Sequence, residues 1–191
     1  MGASALGEIR WLAHIAQPEV GVITLCAPAH IEGFGSVERV AQAKAELYAG
    51  LSSGGTAIIN ADDKYAGYWG GIASGHKVLH FGQHNKADVA ARNTAILGIG
   101  KGVRFTLHLP TTTVDIELPF DGEHNVANAL AAAAVAFSLD ISPDLIKRGL
   151  ECAGKVNGRL CVHTGPSGSR IIDDTYNANP ASLAVGVKLL A

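Results

Sequence analysis

Lys44 stands where a charge is out of place. In "SVERVAQAKAELYAGL" (Ser36–Leu51) helical spacing gathers Val37, Val40, Ala41, Leu47, Tyr48 and Leu51 on one arc. Glu38, Arg39, Gln42 and Glu46 fall on the other, and Lys44 lands inside the apolar arc. Such a lysine has two readings. Its stem can lie along apolar surface while the head reaches water. Alternatively, burial lowers its pKa and leaves a neutral amine able to do chemistry.

Four polar groups close segments that read as strand ends. They are His30 with Glu32; Asn60 with Asp62 and Asp63; His124 with Asn125 and Asn128; and Asp173 with Asp174, Tyr176 and Asn177. In open α/β sheets ligands sit beyond the carboxyl ends of the strands. Singly, each group has an ordinary explanation. A loop histidine is usually at the surface, an Asp-Asp pair is turn chemistry, and "HNVAN" opens a helix with an Asn cap. Four of them beside an inward lysine point to a cleft.

The elements that must position these residues follow from pattern. "EVGVITL" (Glu19–Leu25) is a β-branched run suited to a strand buried on both faces. A helix capped by Ser36 follows, then buried strands at Thr56–Asn60 and His76–Gly82. This alternation predicts an α/β fold with a mostly parallel sheet and helices on both faces. Between Asp88 and Pro119 close-set strands with polar turns predict an antiparallel annex, its last two strands a hairpin. "VANALAAAAVAF" is a core helix, and "SPDLIKRGLECAG" a helix capped by Ser142 with Pro143 at its first position. "KVNGRLCV" reads as a boundary, so residues 1–157 form one unit and residues 158–191 begin another, with a strand, a polar turn and a helix. A unit that stops there is incomplete, and the sequence is expected to be a piece of something longer.

Composition narrows the class. The chain has 191 residues, 48% apolar and 17% charged, with a formal net charge of -2. That balance does not favour nucleic acid as a partner. Three cysteines without a CxxC pair fit reduced, buried thiols in a cytoplasmic protein. The longest apolar run is too short to span a bilayer, and no secretory signal pattern opens the chain.

Taken in order, "GASALGEI", "APAHIEGFGS", "AKAELYAGL", "NADD", "GEHNVANALAAAA", "GRL" and "DDTYNANPASL" run over nearly the whole chain. In these stretches the sequence resembles the Mur ligases, and most closely the MurF family of UDP-N-acetylmuramoyl-tripeptide–D-alanyl-D-alanine ligases. The pairing of "AHIEGFGS" with "DDTYNANP" is what singles out that family. The resemblance implies a central ATPase-like domain followed by the start of a C-terminal Rossmann-like domain. It implies ATP and magnesium, with UDP-MurNAc-tripeptide and D-Ala-D-Ala as substrates of a monomeric, cytoplasmic enzyme. Lys44 matches a lysine carbamylated by carbon dioxide, and His30 a histidine that ligates the same magnesium. Asn128 matches an asparagine near the adenine, with His124 and Asn125 beside it. Arg159 matches an arginine that reaches ATP phosphate, and Asp174 an acidic residue facing the ribose, with Tyr176 beside it. Asn60 and Asp62 are expected to shape the cleft wall, and Glu32 to orient its loop.

Departures are equally specific. No Gly-Lys-Thr or Gly-Lys-Ser occurs, so the P-loop is expected upstream of Met1, as is a magnesium-binding glutamate. Leu25 stands where relatives commonly have Asn. The chain alone is therefore not expected to turn over ATP at ligase rates, and its Lys44 amine is expected to be unmodified and turned to solvent. Another Mur-type or folylpolyglutamate-type ligase, or a non-catalytic binding module, remain the alternatives.

Overall fold

The structure is a computed structural model that describes residues 2–27, 34–154, 156–176, 183–184 and 186–187. Its six-stranded sheet runs in sequence order: β1 (Val20–Ile23), β2 (Thr56–Asn60), β3 (Lys77–Gly82), β4 (Val89–Ile96), β5 (Val103–His108) and β6 (Thr113–Leu118). Strands β1 to β4 pair in parallel, and β5 and β6 continue antiparallel. The expected annex is thus the far edge of the same sheet, and β5–β6 is the hairpin. The first strand is shorter than Glu19–Leu25 suggested.

β2 shows why the sheet is buried. Every residue of "TAIIN" is buried, the pattern of a strand covered on both sides. Ile58 faces one core with Phe81, Phe105 and Leu130. Ala57 and Ile59 face the other with Tyr48 and Trp69. That alternation is the strand period of two.

Helix α2 (Val37–Ala49) covers the second face, its start capped by Ser36, whose Oγ accepts from the Arg39 N–H at 3.3 Å. Fully buried Tyr48 donates its hydroxyl to the Ile58 carbonyl at 2.6 Å, tying α2 to β2. The long helix α4 (Glu123–Ser138) covers the first face with Val126, Leu130, Ala133 and Ala134. Helix α5 (Pro143–Glu151) begins at its expected proline, although the Ser142 side chain makes no capping bond. It is held to β6 by Lys147, which donates to the Asp115 carbonyl and to Glu151, and by Glu151, which accepts the Glu117 N–H at 3.0 Å. The buried Asp121 carboxylate, after β6, accepts the N–H groups of Gly100 and Gly102 in the β4–β5 turn at 2.6 and 2.8 Å. Gly102 has φ +83°, and a Cβ there would stand 2.0 Å from the Leu118 carbonyl oxygen.

Two helices have no counterpart in the sequence reading: α1 (Glu8–Ala16) and α3 (Ala66–Ile72). Two residue assignments are also corrected. Glu46, read as part of the polar arc, is 7% exposed, because its carboxylate serves the start of α1. Cys152, read as buried, is exposed beyond the end of α5, while Cys26 and Cys161 are buried. Strands β7 (Cys161–Thr164) and β8 (Arg170–Asp173) pair antiparallel in a sheet of their own. Among the described residues no helix is long and apolar enough to cross a membrane.

Candidate functional site at the carboxyl edge of the sheet

The segment leaving β1 is held at three successive residues by side chains from elsewhere. Asn60 donates Nδ2 to the Thr24 carbonyl at 2.8 Å. Lys44 donates its ammonium to the Leu25 carbonyl. Buried Asp63 accepts the Cys26 N–H at 2.6 Å. Each contact satisfies a backbone group at a strand end that the ladder cannot reach.

This arrangement answers why Lys44 faces inward: in this structure its head caps the end of β1, where solvent exposure alone was expected. The opposite face of Asn60 is also used, since its Oδ1 accepts the Asp62 N–H at 2.9 Å. His30 and Glu32, which the same segment leads to, and Asn177 lie outside the described residues.

Lys44 and Arg159 line one cavity of about 860 Å³ that runs along β1, with Val22, Leu25, Phe34 and Leu47 among its walls. Arg159 is fixed by stacking: its guanidinium carbon lies 4.0 Å from the centroid of the Tyr176 ring, a cation–π contact. The Tyr176 N–H donates to the Gly158 carbonyl at 2.9 Å, closing the same corner. Tyr176 itself is 65% exposed.

Nearby, the first turns of α4 present His124, Asn125 and Asn128. Asn125 donates Nδ2 to the Asp121 carbonyl at 2.8 Å and accepts from Asn128 Nδ2 at 3.3 Å, and Asn128 is exposed. Burial pushes the His124 imidazole below the ordinary histidine value, and the negative charge of Asp174 acts weakly in the opposite sense. Asp174 therefore lies within electrostatic reach of His124. Residues 50 positions apart in the chain meet at the end of the sheet, as a strand-end ligand site requires.

Gln83 was missed. It follows β3 and donates Nε2 to the Glu123 carbonyl at 3.1 Å, bridging to α4. "QHNK" is a polar run at a strand end, so the rule that found the other clusters would have found it.

A metal is less well served. A protonated lysine is a donor and offers no oxygen to a cation. Among the described residues no group of three His, Cys, Asp or Glu side chains could hold a metal ion. The described residues thus do not by themselves form a magnesium site.

A mainly parallel sheet with helices on both faces and a polar cleft at its carboxyl edge defines an open α/β domain of the kind that takes ligands at strand ends. Residues 1–136 match the Mur ligase middle domain, and the chain belongs to that family. It is 41% identical over all 191 residues to the UDP-N-acetylmuramoyl-tripeptide–D-alanyl-D-alanine ligase of Escherichia coli K12, covering 42% of that protein. Among solved structures it is similar to MurF from Acinetobacter baumannii, with a TM-score of 0.93 and 36% identity over the whole chain and 41% of that one. It is also similar to MurF from Thermotoga maritima in complex with ADP, with a TM-score of 0.85 and 25% identity, covering 43% of that chain. The chain spans about two-fifths of the length of these relatives.

Proposed function

We propose that this chain is the middle of an ATP-dependent ligase that joins D-alanyl-D-alanine to UDP-MurNAc-tripeptide in peptidoglycan precursor synthesis. The observation that carries the reading is the unbroken likeness, over all 191 residues, to ligases of that name. The approach of Asp174 to His124 in the first turn of α4 supports it, as does the stacking of Arg159 on Tyr176, two residues after Asp174.

In this reading the adenine lies against His124, Asn125 and Asn128, and the ribose faces Asp174. Arg159, held in place by Tyr176, neutralises charge on the phosphates, the electrostatic work that phosphoryl transfer needs. A carboxylate oxygen of the tripeptide attacks the γ-phosphorus and ADP leaves, giving an acyl phosphate. The dipeptide amine then attacks the acyl carbon, loses a proton, and phosphate departs through a tetrahedral intermediate. No side chain of the cleft is needed as a covalent nucleophile. With nucleotide-linked substrates, the enzyme works in the cytoplasm as a monomer.

The reading also includes magnesium and a carbamate on Lys44. Carbon dioxide would convert the amine from a donor into an oxygen acceptor, and the contact with the Leu25 carbonyl would then have to open. His30 would be its partner at the metal. The carbamate supplies negatively charged oxygens of the kind magnesium prefers.

The test is phosphate release by the full-length parent protein with ATP, UDP-MurNAc-tripeptide and D-Ala-D-Ala. Turnover that vanishes when either co-substrate is left out is expected. Turnover with a single amino acid in place of the dipeptide would make it another Mur-type or folylpolyglutamate-type ligase. Nucleotide binding without turnover would make it a binding module.

A further inference from the structure

Asp62 follows β2, yet its carboxylate works on the segment after β3. It accepts three successive backbone N–H groups: Gln83 at 2.6 Å, His84 at 3.2 Å and Asn85 at 2.7 Å. Gly82 makes room, since a Cβ there would stand 3.1 Å from an Asp62 oxygen. Consecutive amides converging on one anion form a nest.

Other contacts lock the same segment. Asn85 donates Nδ2 to the Ala61 carbonyl at 2.9 Å, and Arg92 donates to the Gln83 carbonyl at 3.1 Å. The Gln83 side chain then reaches the Glu123 carbonyl. Glu123 is the first residue of α4. The chain of contacts therefore runs from Asp62 through Gln83–Asn85 to the turn that carries His124, Asn125 and Asn128.

We propose that Asp62 is a positioning residue for the nucleotide: it fixes the Gln83–Asn85 segment, which in turn sets the first turn of α4. The inference rests on the ligase reading above and deepens it. The chemistry calls for a carboxylate. Three N–H donors need two acceptor oxygens, and an asparagine would set its NH₂ against one of them. An Asp62→Asn substitution keeps the shape and splays the segment, and the bond from Gln83 to Glu123 carries its effect to α4.

The experiment titrates the full-length parent with ADP by calorimetry and measures KM for ATP and kcat in Asp62→Asn, Gln83→Ala and the double variant. Asp62→Asn should raise the ADP Kd and the ATP KM roughly ten-fold, with kcat within about two-fold of wild type. Gln83→Ala should move both in the same direction. The double variant should be no worse than Asp62→Asn alone, because both act through one link. Unchanged ADP affinity in Asp62→Asn with only a lower melting temperature would reduce the residue to a structural support and overturn the proposal. So would effects that simply multiply in the double variant. A wild-type parent that binds no ADP would overturn the ligase reading and this inference together, whereas normal wild-type binding matched by Asp62→Asn would overturn this inference alone.

Discussion

Glu46 caps a helix to which it does not belong. Its carboxylate, inside α2, accepts the N–H of Gly7 at 2.8 and 3.0 Å, and also that of Arg10 at 3.0 Å. Gly7 is the N-cap of α1 and has no side chain to cap with. A residue 39 positions away does the work that Ser or Asp usually does locally. Glu46→Ala removes these bonds at a half-buried helix start and should cost about 0.5–2 kcal/mol, the usual range for losing an N-terminal cap. Glu46→Gln, which retains one acceptor oxygen, should cost less. Urea unfolding of the two variants measures both, and equal stability of Glu46→Ala and wild type would contradict the capping role.

The thiols should separate by exposure. Cys152 is open to solvent, while Cys26 and Cys161 are buried. Burial first, and then the nearby charge of Asp63, pushes the Cys26 thiol up, with Lys44 opposing. A higher pKa leaves less thiolate to react. A thiol reagent applied to the folded chain should therefore label Cys152 rapidly and Cys26 slowly, and all three cysteines in urea. Peptide mapping that finds Cys26 labelled as fast as Cys152 would refute this.

His124 gives stability a pH dependence of known sign. Its folded-state pKa is lowered by burial, so the unfolded chain binds the extra proton more readily. Stability is then fully present above the ordinary histidine value near 6.5 and is lost as pH falls from there toward the depressed folded value. Comparing unfolding at about pH 7.5 and about pH 5.5 in wild type and His124→Asn isolates the contribution. Wild type should lose more stability than the variant over that interval. Identical losses would mean the imidazole is not desolvated.

Some of this was readable in the residues, and the reasons differ by element. β2 was legible because the apolar centre of "TAIIN", Ala57–Ile59, lies between Gly-Gly and Asp-Asp, and burial on both faces leaves no polar residue within that centre to blur it. α3 was not, because "AGYWGGI" carries three glycines and has weak helical preference. It is held by Trp69, which is fully buried and donates Nε1–H to the Ala41 carbonyl at 3.1 Å. α1 was missed for a related reason: Trp11 and Ile15 on its surface are each 65% exposed, and its cap lies in α2. At the cleft, the polar clusters were visible as residue types at strand ends. What Asn60, Lys44 and Asp63 hold was not, because their partners are the backbone groups of Thr24, Leu25 and Cys26, and a backbone carbonyl or amide leaves no mark in a sequence.

The central claim is that Lys44 serves ligation through chemistry open to an amine and closed to a guanidinium. Its most direct test is turnover of the full-length parent with Lys44→Arg and Lys44→Ala at saturating magnesium and bicarbonate, alongside a search for a carbamate signal in wild type supplied with ¹³C-bicarbonate. Arginine keeps the positive charge and the ability to donate to the Leu25 carbonyl, but it does not take up carbon dioxide as a lysine amine does. The account predicts a ¹³C carbamate signal in wild type that is absent from both variants. It also predicts loss of most activity in both, with partial recovery of Lys44→Ala by added short carboxylic acids and none of Lys44→Arg. Near-normal turnover by Lys44→Arg would contradict it, leaving Lys44 as a plain cation that caps the end of β1.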